Sequence, residues 1–397
     1  MALCTINHAG TKKDGSEMNR MNAQKKCRVA CVFGTRPEVI KLAPVIFALR
    51  NTQWADVILI STGQHTSLAN DMLDIFGLKA DIELNVMRHN QSLGELTASL
   101  CKKLEHFLKT QSVDYMLAAG DTTSVLIASL LAFYHKIPFG HIEAGLRSFD
   151  KFQPFPEEMN RVLTAPLARW HFAPTAEEKN NLIRENIHSD NITVTGNTVI
   201  DALHWTIQHR PGTLALNQDK KIILVTAHRR ENFGGPIHNI CQAILALRNR
   251  FSDIEFYLPM HPNPNVKTTI FHELSNQSRI HLLSSLIYND FVQLMQHSTL
   301  ILTDSGGIQE EAPFLHKPLL VLRNTTERPA IISAGVGRLV GTDTDAIVQQ
   351  ATLLLTDKES YSQMSTGPSP YGDGHAAAKI IEVLENHHRS LLLKKGT

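Results

Sequence analysis

A chain of 397 residues exceeds the roughly 250–300 residues at which one hydrophobic core stops growing, so two domains facing a cleft are expected. Its 39 basic and 38 acidic residues leave a net charge of +1, which excludes the basic footprint of a nucleic-acid or anionic-membrane binder. Any phosphate must then be met by local charges and backbone dipoles. The five cysteines are odd in number, scattered and without a C-x-x-C pair, which argues against a disulfide framework or a zinc site and for a reducing, cytoplasmic setting.

Residues 1–26 are polar and lack the ~7–15-residue apolar stretch of a secretory signal, so they read as a disordered extension. From Arg28 onward, short apolar runs alternate with turns and helix-length amphipathic stretches, the pattern of a parallel sheet covered on both faces. Strands are predicted at 29–33, 57–61, 115–119, 139–143, 171–173 and 193–195, and a second series at 222–226, 255–258, 300–303 and 319–322. The fold class is therefore α/β, with two Rossmann-like domains facing a cleft. The longest apolar run, 125–133, is far short of the ~20 residues of a membrane helix. A turn at 195–197 and Pro211-Gly212 separate the two series, which sets an N-terminal domain at 27–200 and a C-terminal one at 201–370. After the break at 367–370 a final amphipathic helix, 376–388, closes a tail, 371–397, expected to pack back on the first domain.

The unusual polar residues fall just beyond the carboxyl ends of predicted strands, where open parallel sheets bind ligands. Arg36 follows the first strand, Asp121 the third, Glu143 ends the fourth, His228 follows 222–226 and Ser305-Gly306-Gly307 follows 300–303. The last of these reads as strand, glycine turn and helix start, a cradle for an anion, or else simply a tight turn. Glu311, one turn further, could reach ribose hydroxyls. Arg36 and Lys41 flank a second strand-to-helix turn, and Glu157 and Arg161 lie four apart on one helix face, the spacing of an ion pair. There is no P-loop spacing, no G-x-G-x-x-G opening a helix and no H-E-x-x-H, so neither a tightly held dinucleotide nor a metal is indicated.

Seven motifs occur in order: G-T-R-P-E-x-I-K-x-A-P (34–44), G-D-T-T (120–123), G-H-I-E-A-G-L-R (140–147), P-E-E-M-N-R (156–161), T-G-N-T-V-I-D-A (195–202), H-R-R-E-N (228–232) and D-S-G-G-I-Q-E-E (304–311). Together they make the chain resemble the non-hydrolysing UDP-N-acetylglucosamine 2-epimerases from about residue 28 to its end. The resemblance implies a glycosyltransferase-B fold, no cofactor and no metal, UDP-GlcNAc and UDP-ManNAc as ligands, a homodimer, and a supply of ManNAc for surface polysaccharide. It also implies roles. Lys41, Asp121, Glu143, Glu157, Arg161 and His228 would form the catalytic group. Arg36, His228, Ser305, Gly306 and Gly307 would meet the diphosphate, Glu311 the ribose, Phe291 the uracil, and Arg328 the nucleotide side. Gln64, His65 and Ser67 match a segment that binds an activating second substrate in relatives, but Ser67 is shorter than the Glu or Gln more usual there, which weakens that expectation. The competing readings are a hydrolysing epimerase, a glycosyltransferase-B transferase and a silent nucleotide-sugar sensor.

Overall fold

Apolar runs without alternation belong to strands covered on both faces, and here they assemble two wholly parallel sheets. The computed structural model describes residues 26–395 apart from 65, 261 and 262; the expected disordered segment 1–26 lies, but for Lys26, outside the described residues. The first sheet holds β1 (Cys27–Phe33), β2 (Ala55–Ser61), β3 (Ile82–Glu83), β4 (Tyr115–Ala119), β5 (Phe139–Ile142), β6 (Trp170–Ala173) and β7 (Ile192–Val194), in the order β3-β2-β1-β4-β5-β6-β7. The second holds β8 (Lys221–Thr226), β9 (Ile254–Pro259), β10 (Ile280–Leu283), β11 (Ser298–Thr303), β12 (Leu319–Val321) and β13 (Gly337–Leu339), in the order β10-β9-β8-β11-β12-β13. These are the two Rossmann-like lobes of the expected architecture.

Three strands were not foreseen: β3, β10 and β13. Each is short and all three are outermost in their sheets, so neither a long apolar run nor a β-branched cluster marks them. The 139–143 strand ends one residue early. Glu143 lies beyond β5 with φ of +63°, a left-handed conformation that non-glycine residues seldom adopt. The apolar run 125–133 is the helix Thr123–Tyr134, and among the described residues no helix is long and apolar enough to cross a membrane.

One hydrophobic cluster continues through both lobes. It joins Val29 and Leu59 of the first sheet to Leu224 and Ile301 of the second through Ile200 and Leu203 of the helix Thr198–His209 and Ile380 and Leu384 of the helix Ala376–Lys395. The outer faces of the two sheets have cores of their own. The chain passes to the second lobe after β7 and returns after the helix Lys358–Ser365, and the two passages touch. The Asn197 amide donates to Tyr371 O at 2.7 Å. Gly196 and Gly372 both have positive φ and abut so closely that a Cβ on Gly196 would sit 3.0 Å from Tyr371 O, and one on Gly372 would sit 3.1 Å from Gly196 Cα. On its return the last helix packs on the first lobe, with Tyr115 Oη 3.0 Å from His387 Nδ1 and Trp54 stacked on His388 at 5.2 Å.

The N-terminus of this last helix is capped in trans. Asp201 accepts from the amides of Ala376 (3.2 Å) and Ala377 (2.8 Å), a buried carboxylate against a helix dipole. Asp201→Ala should lower stability by roughly 1–2 kcal/mol, the cost of a lost helix cap, read as a lower urea midpoint with unchanged slope.

Candidate active site

In a doubly wound sheet the crevice opens where consecutive connections leave to opposite faces, which here is between β1 and β4 and between β8 and β11. The residues singled out in sequence follow these four strands and β5. Those after β1, β8 and β11 border a cavity of about 560 Å³ between the lobes, lined among others by Arg36, Lys41, His228, Ser305, Gly307, Phe291, Glu310, Glu311 and Arg328, while Asp121 and Glu143 are not among its lining residues.

On the first-lobe side, Glu38 organises the turn before the helix Arg36–Arg50. Its buried carboxylate accepts from the amides of Gly34 (2.6 Å) and Thr35 (2.8 Å) and from Thr122 Oγ1 (2.5 Å), which ties the β1 turn to the β4 turn. A Cβ on Gly34 would lie 2.2 Å from Thr62 Oγ1, so only glycine fits. One helical turn on, Lys41 Nζ meets Glu143 Oε1 at 2.5 Å. Glu143 Oε2 accepts from Asn197 Nδ2 at 2.7 Å; the same nitrogen donates to Glu310 Oε2 at 2.6 Å, and Glu310 Oε1 accepts from Arg328 Nε at 2.8 Å. Two cations and two carboxylates thus form a buried network across the lobes. Burial opposes charge on each member. On Glu143, Lys41 and then Arg328 overcome it and hold the carboxyl below the usual range. On Lys41, Glu143 and Glu310 overcome it and keep the ammonium charged. Glu310 goes the other way, since burial lifts its carboxyl above the usual range despite Arg328. Behind the network, His141 Nε2 donates to Gly120 O (2.7 Å), and burial drives this imidazole down to about 4, so it is neutral.

Asp121 and Arg161 are paired at 2.9 Å, beside the Lys41–Glu143 contact but outside the residues lining the cavity. The expected pairing of Arg161 with Glu157 does not form. Arg161 instead takes Glu158, at 2.6 Å from Nη2 and 3.1 Å from Nε, because Glu158 is the buried member of the acidic pair and also accepts the amides of Ser148 and Phe149. Glu157, the first residue of the helix Glu157–Thr164, is half-buried, and among the described residues its carboxylate has no hydrogen bond or ion pair. Glu143 pairs with Lys41 and Asp121 with Arg161, and both carboxylates act on the Lys41 ammonium.

On the second-lobe side, Asp304 is wholly buried and gathers the H-R-R-E-N turn. Its Oδ2 accepts from the amides of His228 and Arg229, both at 2.8 Å, and from Asn232 Nδ2 at 2.9 Å, while its Oδ1 is 3.2 Å from His228 Nδ1. The helix Gly306–Phe314 opens at the cavity, and its first internal bond runs from Gln309 N to Ser305 O at 3.3 Å. The amides of Gly306, Gly307 and Ile308 precede that bond and are donors for an anion. Within the expected Ser305–Gly307 wrap, the Ser305 amide is already engaged, donating to Thr303 Oγ1 (3.0 Å), and a Cβ on Gly306 would approach the Arg328 guanidinium to 3.1 Å. Gly307 is the glycine that borders the cavity, and a Cβ there would meet nothing within 4 Å. Phe291, on the helix Tyr288–His297, offers a ring to the cavity. Glu311 accepts from Tyr288 Oη at 3.2 Å, and burial, reinforced by Glu310, pushes its carboxyl up to about 8. It is a donor as well as an acceptor at neutral pH.

Of the activator-segment residues, Gln64 accepts from Ser124 Oγ at 3.0 Å, His65 lies outside the described residues, and the Ser67 side chain is likewise not described. Among the described residues no group of three or more His, Cys, Asp or Glu side chains converges as a metal set would. Sequence reasoning missed Glu310, Asn197, Glu158 and Asp304. All four stand inside the quoted motifs, but nothing local distinguishes Glu310 from Glu311 or Glu158 from Glu157 before the burial of each is known.

Residues 47–385 match the family described as UDP-N-acetylglucosamine 2-epimerase. The chain is 45% identical over 366 residues to a UDP-N-acetylglucosamine 2-epimerase of Bacillus subtilis, covering 92% of this chain and 96% of that one. It is 45% identical over 375 residues to the Escherichia coli K12 protein of the same description, covering 92% and 100%. Among solved structures, UDP-GlcNAc 2-epimerase from Neisseria meningitidis bound to UDP-GlcNAc superimposes with a TM-score of 0.84 at 46% identity, over 90% of this chain and all of that one.

Two expectations arise from the site geometry. Gly307→Val places its Cβ in open space at the cavity side of the helix start, so it should weaken UDP binding at least about tenfold, ~1.4 kcal/mol, by calorimetry, with the fold intact. Unchanged affinity would remove Gly307 from the anion cradle. The second concerns pH. A carboxyl raised from 4.5 to about 8 makes the folded chain bind more protons than the unfolded one between those values, so this group's effect is to lower stability as pH rises through that window. Glu311→Gln abolishes the term, and its thermal midpoint relative to the parent should climb from pH 5 to 8.5 and level off below pH ~4.5.

Proposed function

We infer the chemistry of the cleft from one premise, that the chain belongs to the UDP-N-acetylglucosamine 2-epimerase family. It is an isomerase that reversibly interconverts UDP-GlcNAc and UDP-ManNAc without hydrolysing them. The C2 proton is barely acidic because no carbonyl adjoins it, so its removal must be coupled to departure of UDP from C1. The C2–H electron pair forms the C1=C2 double bond, the C1–O pair leaves with the β-phosphate, and the proton passes to a protein carboxylate, which gives UDP and 2-acetamidoglucal. Reversal, with a proton delivered to the opposite C2 face, yields the epimer. The observation that carries this reading is an anion cradle at the cavity wall joined, through Lys41, Arg328 and Asn197, to carboxylates whose proton affinities are pushed apart.

Each part of the cavity then has a task. Arg36, His228 and the Gly307 amide face the diphosphate and stabilise the charge that grows on it, which is the larger electrostatic contribution. Phe291 carries the uracil, Glu311 the ribose, and Arg328 supports the nucleotide side. Glu143, kept ionised by Lys41, accepts the C2 proton; Asp121, held by Arg161, and Glu157 serve the opposite face. Closure of the lobes keeps the glucal from escape and from water. The product supplies ManNAc units for polysaccharide synthesis. A homodimer belongs to the same proposal, supported by the exposed apolar rings of Phe133, Tyr134, Phe149, Phe152 and Phe155 on the first lobe.

Incubation with UDP-GlcNAc in deuterated water, followed by NMR, tests the scheme. UDP-ManNAc should carry deuterium at C2, because the abstracted proton exchanges before another group protonates the far face. Glu143→Gln, Asp121→Asn and Glu157→Gln should each lower turnover by ~10²-fold or more, with UDP affinity nearly unchanged. Epimerisation at near-parental rates by all three would remove the carboxylates from the mechanism.

A further inference from the structure

We infer that Asn197 is a positioning residue for the reaction: its side-chain amide ties Glu143 of the first lobe to Glu310 of the second and so makes closure of the lobes set the aim of the proton-accepting carboxylate. The inference rests on the role given to Glu143 above.

Asn197 is only 2% exposed and is anchored three ways. Its backbone amide donates to Tyr371 O at 2.7 Å. Its side-chain Oδ1 accepts from Val199 N at 3.2 Å as the cap of the helix Thr198–His209. That cap settles which end of the amide is which, because only the carbonyl can accept from Val199 N, so the opposite end is the NH2 group. Its two hydrogens are the number needed for the two acceptors it faces, Glu143 Oε2 at 2.7 Å and Glu310 Oε2 at 2.6 Å. The remaining carboxylate oxygens are also engaged, Glu143 Oε1 by Lys41 at 2.5 Å and Glu310 Oε1 by Arg328 at 2.8 Å. Each carboxylate is thus held at both oxygens and cannot rotate freely.

The choice of an amide has a physical reason. Two carboxylates sharing a buried space repel. A neutral donor between them relieves that repulsion without a third cation beside Lys41 and Arg328. The charged or titratable groups facing Glu143 are Lys41 from the helix Arg36–Arg50, Glu310 from the helix Gly306–Phe314, Arg328 before the helix Pro329–Ser333, and the neutral His141 of β5, with Asp121 acting on Lys41. Glu310 and its partner Arg328 are the members that belong to the second lobe. Without Glu310, Asn197 has one acceptor and Glu143 loses the partner that fixes the amide opposite.

Asn197→Ser and Asn197→Asp both keep an oxygen suited to capping the helix, so the fold is preserved, while both remove the paired donors. The parent must first convert UDP-GlcNAc to UDP-ManNAc; if it does not, the reaction reading fails independently of Asn197. With an active parent, both variants should lose at least about tenfold in kcat, while UDP affinity by calorimetry stays within about twofold. The acid limb of kcat in Asn197→Ser should move to higher pH, because Glu143 loses a hydrogen bond to its ionised form. Asn197→Ser combined with Glu310→Gln should be no slower than the slower single variant, since both break one link. An unchanged kcat and acid limb in a folded Asn197→Ser protein, or fully additive losses in the double variant, would overturn the proposal, whatever the thermal midpoints do.

Discussion

Everything in this molecule depends on where consecutive crossover connections part company in a parallel sheet. Between β1 and β4, and again between β8 and β11, the helices leave for opposite faces, and the strand ends there are the one place on each sheet not roofed by a connection. Two such openings set face to face make a cleft whose walls are strand ends and helix starts, rich in turn residues and unpaired amides. Many of the functional groups, Arg36, Asp121, Glu143, His228 and Gly307 among them, sit in the first residues after β1, β4, β5, β8 and β11.

A cleft of this kind collects more charge than an interior tolerates, and the pairing rules of buried ions then decide the geometry. Each buried charge carries a desolvation penalty that only close partners offset. Lys41, Glu143, Glu310 and Arg328 offset one another across the lobes, Arg161 is shared between Asp121 and Glu158, and Asp304 is hydrogen-bonded by a ring of donors from the turn it organises. The left-handed backbone of Glu143 adds strain to this arrangement, tolerated because contacts on both sides hold the residue. The outcome is a set of carboxylates with unequal proton affinities: Glu310 and Glu311, on the cavity wall, high, and Glu143, behind Lys41, low.

Much of this was legible from the residues in order. Strands of a doubly covered sheet are uninterrupted apolar runs, so the central ones stood out, and the polar residues that close them pointed to the cleft. The edge strands β3, β10 and β13 did not stand out, since two to four residues carry no periodicity. What stayed hidden was partner choice. The i,i+4 spacing of Glu157 and Arg161 is a correct statement about an isolated helix, but Arg161 took Glu158 because that side chain faces inward. Likewise Gly306 and Gly307 are indistinguishable as letters and differ only in which of them turns toward Arg328. The contact of Asn197 with Glu143 spans 54 residues and with Glu310 113 residues, a separation at which local pattern carries no information.

The double passage of the chain between the lobes has a mechanical consequence. A body joined to another by one thread can swing and twist in any direction, but a body joined at two points turns only about the line through them. Here the two threads lie against each other at Gly196 and Gly372, where backbone meets backbone with no side chain between, so both attachments fall at one place. Any change in the opening of the lobes must pivot there, and Asn197, next to the pivot, has the shortest lever arm.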